Sequence, residues 1–173
     1  NMVEELLQFS RMQDGRFTLE LEPVDIQAEF EDAVFTYREL FRQDGIEVHY
    51  DDGDLEEYPI IEGDPERLKQ VFCNLLDNAA KHGGSGGRID TSIRVGTEMV
   101  VLTIRDYGPG IPEAELPFIK EKFYKGSSKA RGSGIGLAVV EEIITRHGGR
   151  FDIGNADGGG CVVELYLPLK QPT

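Results

Sequence analysis

Residues 70–82 read QVFCNLLDNAAKH, and within them Asn74, Asn78 and Lys81 follow at i, i+4 and i+7. On a helix that spacing stacks two amides and one cation in a single row. Asn is a mediocre helix former that favours caps, so an ordinary surface row would more often carry Glu and Lys. An Asn carbonyl oxygen suits Mg²⁺, which takes oxygen ligands while keeping waters and substrate phosphates, and it adds no charge beside a triphosphate. A lysine one turn on offsets phosphate charge. Two readings stay open on the row alone: the polar edge of a cavity, or an amphipathic helix with two tolerated asparagines.

Two glycine-rich stretches bear on that choice. Residues 106–110, DYGPG, end an otherwise apolar strand. A carboxylate there is expected at the sheet edge, at the mouth of a pocket, where it can accept a hydrogen bond from an exocyclic amine such as that of adenine. Gly108 and Gly110 let backbone pass close to a flat ligand. An ordinary turn can carry the same letters. Residues 132–136, GSGIG, open a helix. Their N–H groups and the positive end of the helix dipole make an anion site. This is neither a dinucleotide fingerprint nor a P-loop, because no G-x-G-x-x-G follows a strand and no GK[ST] follows the glycines. Lys122, Lys125, Lys129 and Arg131 precede it in a Gly/Ser-rich run. Such a run is a lid over a phosphate site, or simply a solvated loop.

The elements that must position these groups follow from periodicity. Leu68, Val71, Phe72, Leu75, Leu76 and Ala79 form the stripe a helix buries, and Asp64-Pro65 opens that helix with a cap and a first-turn proline. Upstream, residues 1–12 read as the end of a longer helix stopped near Asp14-Gly15. Residues 16–24 read as a strand halted by Pro23. Asp25 caps a helix running to Asp44-Gly45. Strands are expected at 46–50 and 58–61, with an acidic loop between them. Downstream, GGSGG at 83–87 reads as a flexible loop, and 88–95 and 99–106 as a hairpin through Gly96-Thr97. A short helix is expected at 113–122, a mobile loop at 124–133, a helix at 135–147 and a last hairpin from 151–154 and 162–167. Together these predict an α+β two-layer sandwich: a mixed, mostly antiparallel sheet of about five strands on about three helices, with a flexible lid.

The bulk numbers fit one domain. The chain has 173 residues, 39% of them hydrophobic, and no apolar run nears the roughly 20 residues of a membrane span. No signal peptide is visible, and a start at Asn1 in helical sequence reads as an excised fragment. The charge is uneven: residues 1–66 hold 20 Asp/Glu and 4 Lys/Arg, residues 67–173 hold 12 and 14. The acidic excess argues against nucleic acid as a partner, and the near-neutral half tolerates an anionic ligand. Cys73 and Cys161 read as free buried thiols of a reducing compartment, and the scattered His49, His82 and His147 suggest no metal site.

Taken in order, these motifs make the sequence similar to the catalytic, ATP-binding domain of bacterial sensor histidine kinases, in the superfamily shared with DNA gyrase and heat-shock chaperones. Asn74–Lys81 resembles the N box, Asp106–Gly110 the first glycine box, Lys122–Lys125 the F box and Gly132–Gly136 the second glycine box, with Gly158–Gly160 a further glycine turn. The resemblance implies residues 1–13 as the tail of a dimerisation helix and 14–173 as the catalytic domain. It implies ATP and Mg²⁺, with Asn78 on the metal and Asn74 supporting the metal–phosphate site. Lys81 and Lys125 would contact phosphate. Asp106 would bond the adenine amine beside Gly108 and Gly110, with Gly132, Gly134 and Gly136 holding phosphates. His82, Tyr124 and Leu137 would complete the nucleotide contacts, and Phe123 would anchor the lid with Tyr124. Three positions depart from the pattern: Lys120 and His82 stand where aromatics are usual, and Cys161 where Thr is common.

The implied reaction gives the γ-phosphoryl group of ATP to a histidine on a dimerisation domain outside this chain, for relay to a response regulator. The implied setting is a cytoplasmic domain, monomeric as a fragment, of a homodimeric parent that can be membrane-anchored. Hydrolytic relatives place a water-activating Glu where this chain has Asn74, which cannot be a general base. A hydrolytic ATPase of the same superfamily and a nucleotide-free interaction module are the competing readings.

Overall fold

The structure, a computed structural model, describes residues 18–56, 58–118 and 136–170. In chain order the elements are β1 (Glu22–Asp25), α1 (Ile26–Arg42), β2 (Glu47–Asp51), β3 (Ile60–Gly63), α2 (Pro65–Gly83), β4 (Arg88–Val95), β5 (Met99–Asp106), α3 (Gly136–Arg146), β6 (Arg150–Asn155) and β7 (Cys161–Pro168). Short 3-10 turns lie at Gly84–Gly86 and Glu113–Phe118.

Alternation decides the layers. In β5 Val100, Leu102, Ile104 and Asp106 are buried, while the residues between them are half-buried. Ile89, Thr91 and Ile93 of β4 and Val163, Leu165 and Leu167 of β7 continue that inner face. The five strands run in the order β2-β4-β5-β7-β6, with β2 parallel to β4 and the other pairs antiparallel. The three helices supply the second layer of the expected two-layer sandwich. Leu68, Val71, Phe72, Leu75, Leu76 and Ala79 of α2 are buried, as the sequence stripe requires. Phe72 meets Phe30 of α1 edge-on at 5.2 Å between ring centroids. Each such fully buried side chain stabilises the fold by roughly 1.5–3 kcal/mol.

The helix starts are capped as expected. Asp25 accepts from the Ala28 N–H at 3.1 Å, and Asp64 Oδ1 from the Glu66 and Arg67 N–H groups at 3.2 and 3.3 Å.

Several expectations are corrected. The first strand is only Glu22–Asp25, and Pro23 lies inside it rather than halting it. It pairs with β3 alone in a separate two-stranded sheet, so a missing N–H on its free side costs nothing. The strand expected at 58–61 is Ile60–Gly63: Pro59 accepts from the Ile26 N–H at 3.2 Å in the same register but has no N–H to return. The 83–87 loop is ordered: α2 runs through Gly83 and continues as a 3-10 turn. The helix expected at 113–122 is a 3-10 turn over Glu113–Phe118 with Pro117 inside it. Residues 1–12, residues 124–133 and the remainder of 113–122 lie outside the described residues. Cys73 and Cys161 form no disulfide and are half-buried rather than buried. Among the described residues no helix is long and apolar enough to cross a membrane.

Candidate functional site

The end of α2 meets the end of β5, and a cavity of about 460 Å³, its open mouth included, lies between them. Leu75, Ala79, Ile104, Ile111, Ile153 and Val163 make apolar walls. Asn78, His82 and Asp106 bring polar groups to it, and Gly110 and Cys161 complete the lining. An apolar pocket with few convergent polar groups suits a flat, mostly apolar ligand with a small number of hydrogen-bonding positions.

Asp106 is 5% exposed, deep for a carboxylate. Its strand is the middle one of five, so the carboxylate sits on the cavity floor rather than at a lateral sheet edge. Burial raises its pKa, opposed by the Gly108 and Cys161 N–H groups and by nearby Arg105. Those two N–H groups both reach Oδ1, at 3.0 and 3.1 Å, and among the described residues Oδ2 accepts no hydrogen bond. Oδ2 is not one of the fully buried unpartnered atoms, so it is accessible from the cavity, where a ligand N–H can donate to it.

Glycines make this placement possible. A Cβ on Gly83 would lie 2.0 Å from Asp106 Cγ, and one on Gly160 2.0 Å from the Asp106 carbonyl oxygen. A Cβ on Gly108 would lie 2.5 Å from Gly83 Cα. The Asp106 side chain is thus approached by Gly83 and its carbonyl by Gly160, while Gly108 packs on Gly83. Gly110 has φ +79°, a conformation L side chains rarely adopt. The next residue is pinned by Asn155, whose Oδ1 accepts from Ile111 N and whose Nδ2 donates to Ile111 O, both at 2.7 Å.

The row on α2 divides. Asn78 lines the cavity and Lys81 is exposed. Asn74 is half-buried, and its Nδ2 is a buried atom without a hydrogen-bond partner among the described residues. Turning the amide over would present its oxygen at the same place. An unmatched buried amide beside the cavity row, with Asn78 a neutral oxygen donor, fits a group that brings its own charge and waters, such as Mg²⁺ on phosphates.

The structure thus brings Asn78, His82, Asp106 and Gly110 to one cavity, with Gly108 packed behind. Leu137 is buried in the core, outside the cavity lining, and Gly136 opens α3 with open space around it. Phe123, Tyr124, Lys125, Gly132 and Gly134 lie outside the described residues. Sequence reasoning passed over Gly83, Asn155 and the Cys161 N–H. The only local hint was the repeated glycine, since their partners are distant in the chain.

The family described as histidine kinase-, DNA gyrase B- and HSP90-like ATPase matches residues 63–171. The chain is similar to the signal transduction histidine-protein kinase AfsQ2 of Streptomyces coelicolor, 35% identical over 97% of this chain and 30% of that protein. The catalytic domain of the histidine kinase ThkA in a nucleotide-free form superposes with a TM-score of 0.76 at 27% identity, over 86% of this chain and 95% of that one. Full-length ShkA in complex with AMPPNP gives a TM-score of 0.83 at 26% identity, over 99% of this chain and 36% of that one. The chain spans less than half the length of the curated relatives it matches.

Proposed function

Because this chain belongs to the histidine kinase-, DNA gyrase B- and HSP90-like ATPase family, as an ATPase domain of the histidine kinase type, we propose that it binds Mg-ATP and donates the γ-phosphoryl group to a histidine. That histidine belongs to a dimerisation domain of the same protein, and a response regulator receives the phosphoryl group afterwards. The observation that carries the nucleotide reading is Asp106: a buried carboxylate on the floor of an apolar cavity, with one oxygen held by two backbone donors and the other accepting none among the described residues.

Each residue has a defined task. Asp106 accepts the adenine amine through Oδ2, and the apolar walls take the faces of the base. Gly110 and the Asn155-pinned Ile111 keep the floor low enough for it. Asn78 would hold Mg²⁺, with Asn74 supporting the same site, and Lys81 and Lys125 would meet phosphate oxygens. The N–H groups around Gly134 and Gly136 would hold phosphates at the start of α3. When bound, Mg²⁺ supplies neutralisation of phosphate charge. Phosphoryl transfer needs positioning and charge compensation more than covalent protein chemistry, which matches a site rich in backbone and amides. Asn74 cannot deprotonate water, so the chain favours a histidine acceptor over hydrolysis.

The test mixes the chain with its histidine-bearing dimerisation domain and γ-labelled ATP. The expected result is acid-labile label on that domain, lost in Asn78→Ala. Rapid ATP hydrolysis by the chain alone, abolished by Asn78→Ala, would overturn the acceptor assignment. Calorimetry showing no binding at millimolar nucleotide would overturn the ATP assignment.

A further inference from the structure

Neighbouring residues on a strand point to opposite faces of the sheet. At the end of β5, Asp106 faces the cavity and Arg105 the outer face, yet both reach the turn between β6 and β7. Arg105 Nη2 donates to the Asp157 carbonyl at 2.8 Å and to the Gly159 carbonyl at 3.1 Å. Asp106 Oδ1 accepts from the Cys161 N–H at 3.1 Å. The turn they share has three consecutive glycines with φ of +86°, +106° and +86°. Such a run has little conformational preference of its own. Within itself it is held by Ala156 N–H to Gly160 O at 2.9 Å and Gly159 N–H to Ala156 O at 3.2 Å.

Arg105 is placed for this role. Its guanidinium carbon lies 4.3 Å from the centre of the Tyr107 ring, and the Tyr107 hydroxyl donates to Asp90. Arg88 Nε holds the same Asp90 at 2.7 Å. The Nε of Arg105 is buried without a hydrogen-bond partner among the described residues, so ring and turn hold the group. A solvated surface arginine would not leave that donor dry.

We propose that Arg105 is a positioning residue of the nucleotide pocket: from behind the sheet it sets the glycine turn whose Cys161 N–H orients the Asp106 carboxylate. The inference rests on the nucleotide reading above. Removing Arg105 loosens the 156–160 turn, lengthens the Cys161–Asp106 bond and leaves the carboxylate on one fixed donor instead of two. The loss falls on ligands that use Asp106. ATP offers an exocyclic amine to Asp106, and inosine triphosphate does not.

The experiment measures ATP and inosine triphosphate affinity for the 173-residue chain, together with the hydrogen-exchange protection of the Cys161 amide. The wild type should prefer ATP. Arg105→Ala should weaken ATP by about tenfold while leaving inosine triphosphate within about twofold, and should lower Cys161 protection. Arg105→Lys, which can reach one carbonyl, should fall between. If Arg105→Ala does not fold, the Arg105→Lys comparison decides alone. A wild type that prefers ATP, with preference and Cys161 protection unchanged in the variants, overturns the role of Arg105 and leaves the nucleotide reading standing. Equal loss of both nucleotides overturns it too, since that is a general structural effect. A wild type that binds neither nucleotide overturns the nucleotide reading and this inference with it.

Discussion

Helix α2 runs between two buried carboxylates that have opposite duties. At its start Asp64 is 7% exposed, and at its end Asp106 is 5% exposed. Asp64 has used both oxygens: Oδ1 accepts from Glu66 and Arg67, and Oδ2 accepts from Glu20 N–H at 3.0 Å. Its own N–H donates to Nε2 of the buried His147 at 3.0 Å. Both oxygens of Asp64 are thus engaged by backbone donors of the protein itself. Asp106 has the same depth, but both donors fall on one oxygen and the other accepts nothing among the described residues. Burial alone therefore does not mark a functional acid. What separates the two is whether the protein has filled every acceptor position.

The largest effect should come from making each acid an amide. Asp106→Asn keeps an acceptor for Gly108 and Cys161 but offers an N–H to the adenine amine. ATP affinity should fall about 100-fold by calorimetry, with the melting temperature almost unchanged. Asp64→Asn should do the reverse. It places an N–H against the Glu20 N–H, costing about 2 kcal/mol in denaturant unfolding, while the folded protein keeps its ATP affinity. Equal ATP losses in the two variants would break the distinction between the two ends of α2.

The next effect sharpens the structural end. His147 is neutral, with Nδ1–H donating to Ile143 O at 2.8 Å and Nε2 accepting from Asp64 N–H. Burial lowers its pKa, opposed by the Ile143 carbonyl and the Asp64 charge. The unfolded chain therefore takes up this proton first as pH falls, so stability is full above about pH 6.5 and declines below it. The decline from this group cannot exceed about 1.4 kcal/mol per pH unit. Chemical denaturation between pH 7 and 5 should show a flatter acid limb in His147→Gln than in the wild type. The smallest effect concerns Cys161, which serves Asp106 through its backbone. Cys161→Ala should change ATP affinity by less than about threefold, and a larger loss would assign the contact to the thiol.

The sequence discloses the two ends of α2 unequally. Asp64 is legible because a cap acts within one turn: Asp-Pro before a helical stripe names both the residue and its job. Strands β4 and β5 are legible to their last residues because alternation and the Gly96 turn are local. The motif residues Asn78, Asp106 and Gly110 are equally legible as letters. Their support is not. Cys161 N–H reaches Asp106 across 55 residues, and Asn155 reaches Ile111 across 44. GGSGG reads as a flexible loop because nothing nearby says that Gly83 must lie against Asp106 and Gly86 against Tyr107. Pro23 misleads for a similar reason: whether a strand tolerates proline depends on which side is paired, and that partner lies at β3.

The most direct test is a crystal structure of the chain with Mg²⁺ and a non-hydrolysable ATP analogue. The account predicts adenine between the apolar walls of the cavity, its exocyclic amine at about 3 Å from Asp106 Oδ2, with Oδ1 still on Gly108 and Cys161. A base bound elsewhere, or Oδ2 engaged by a protein donor while nucleotide is bound, would contradict it.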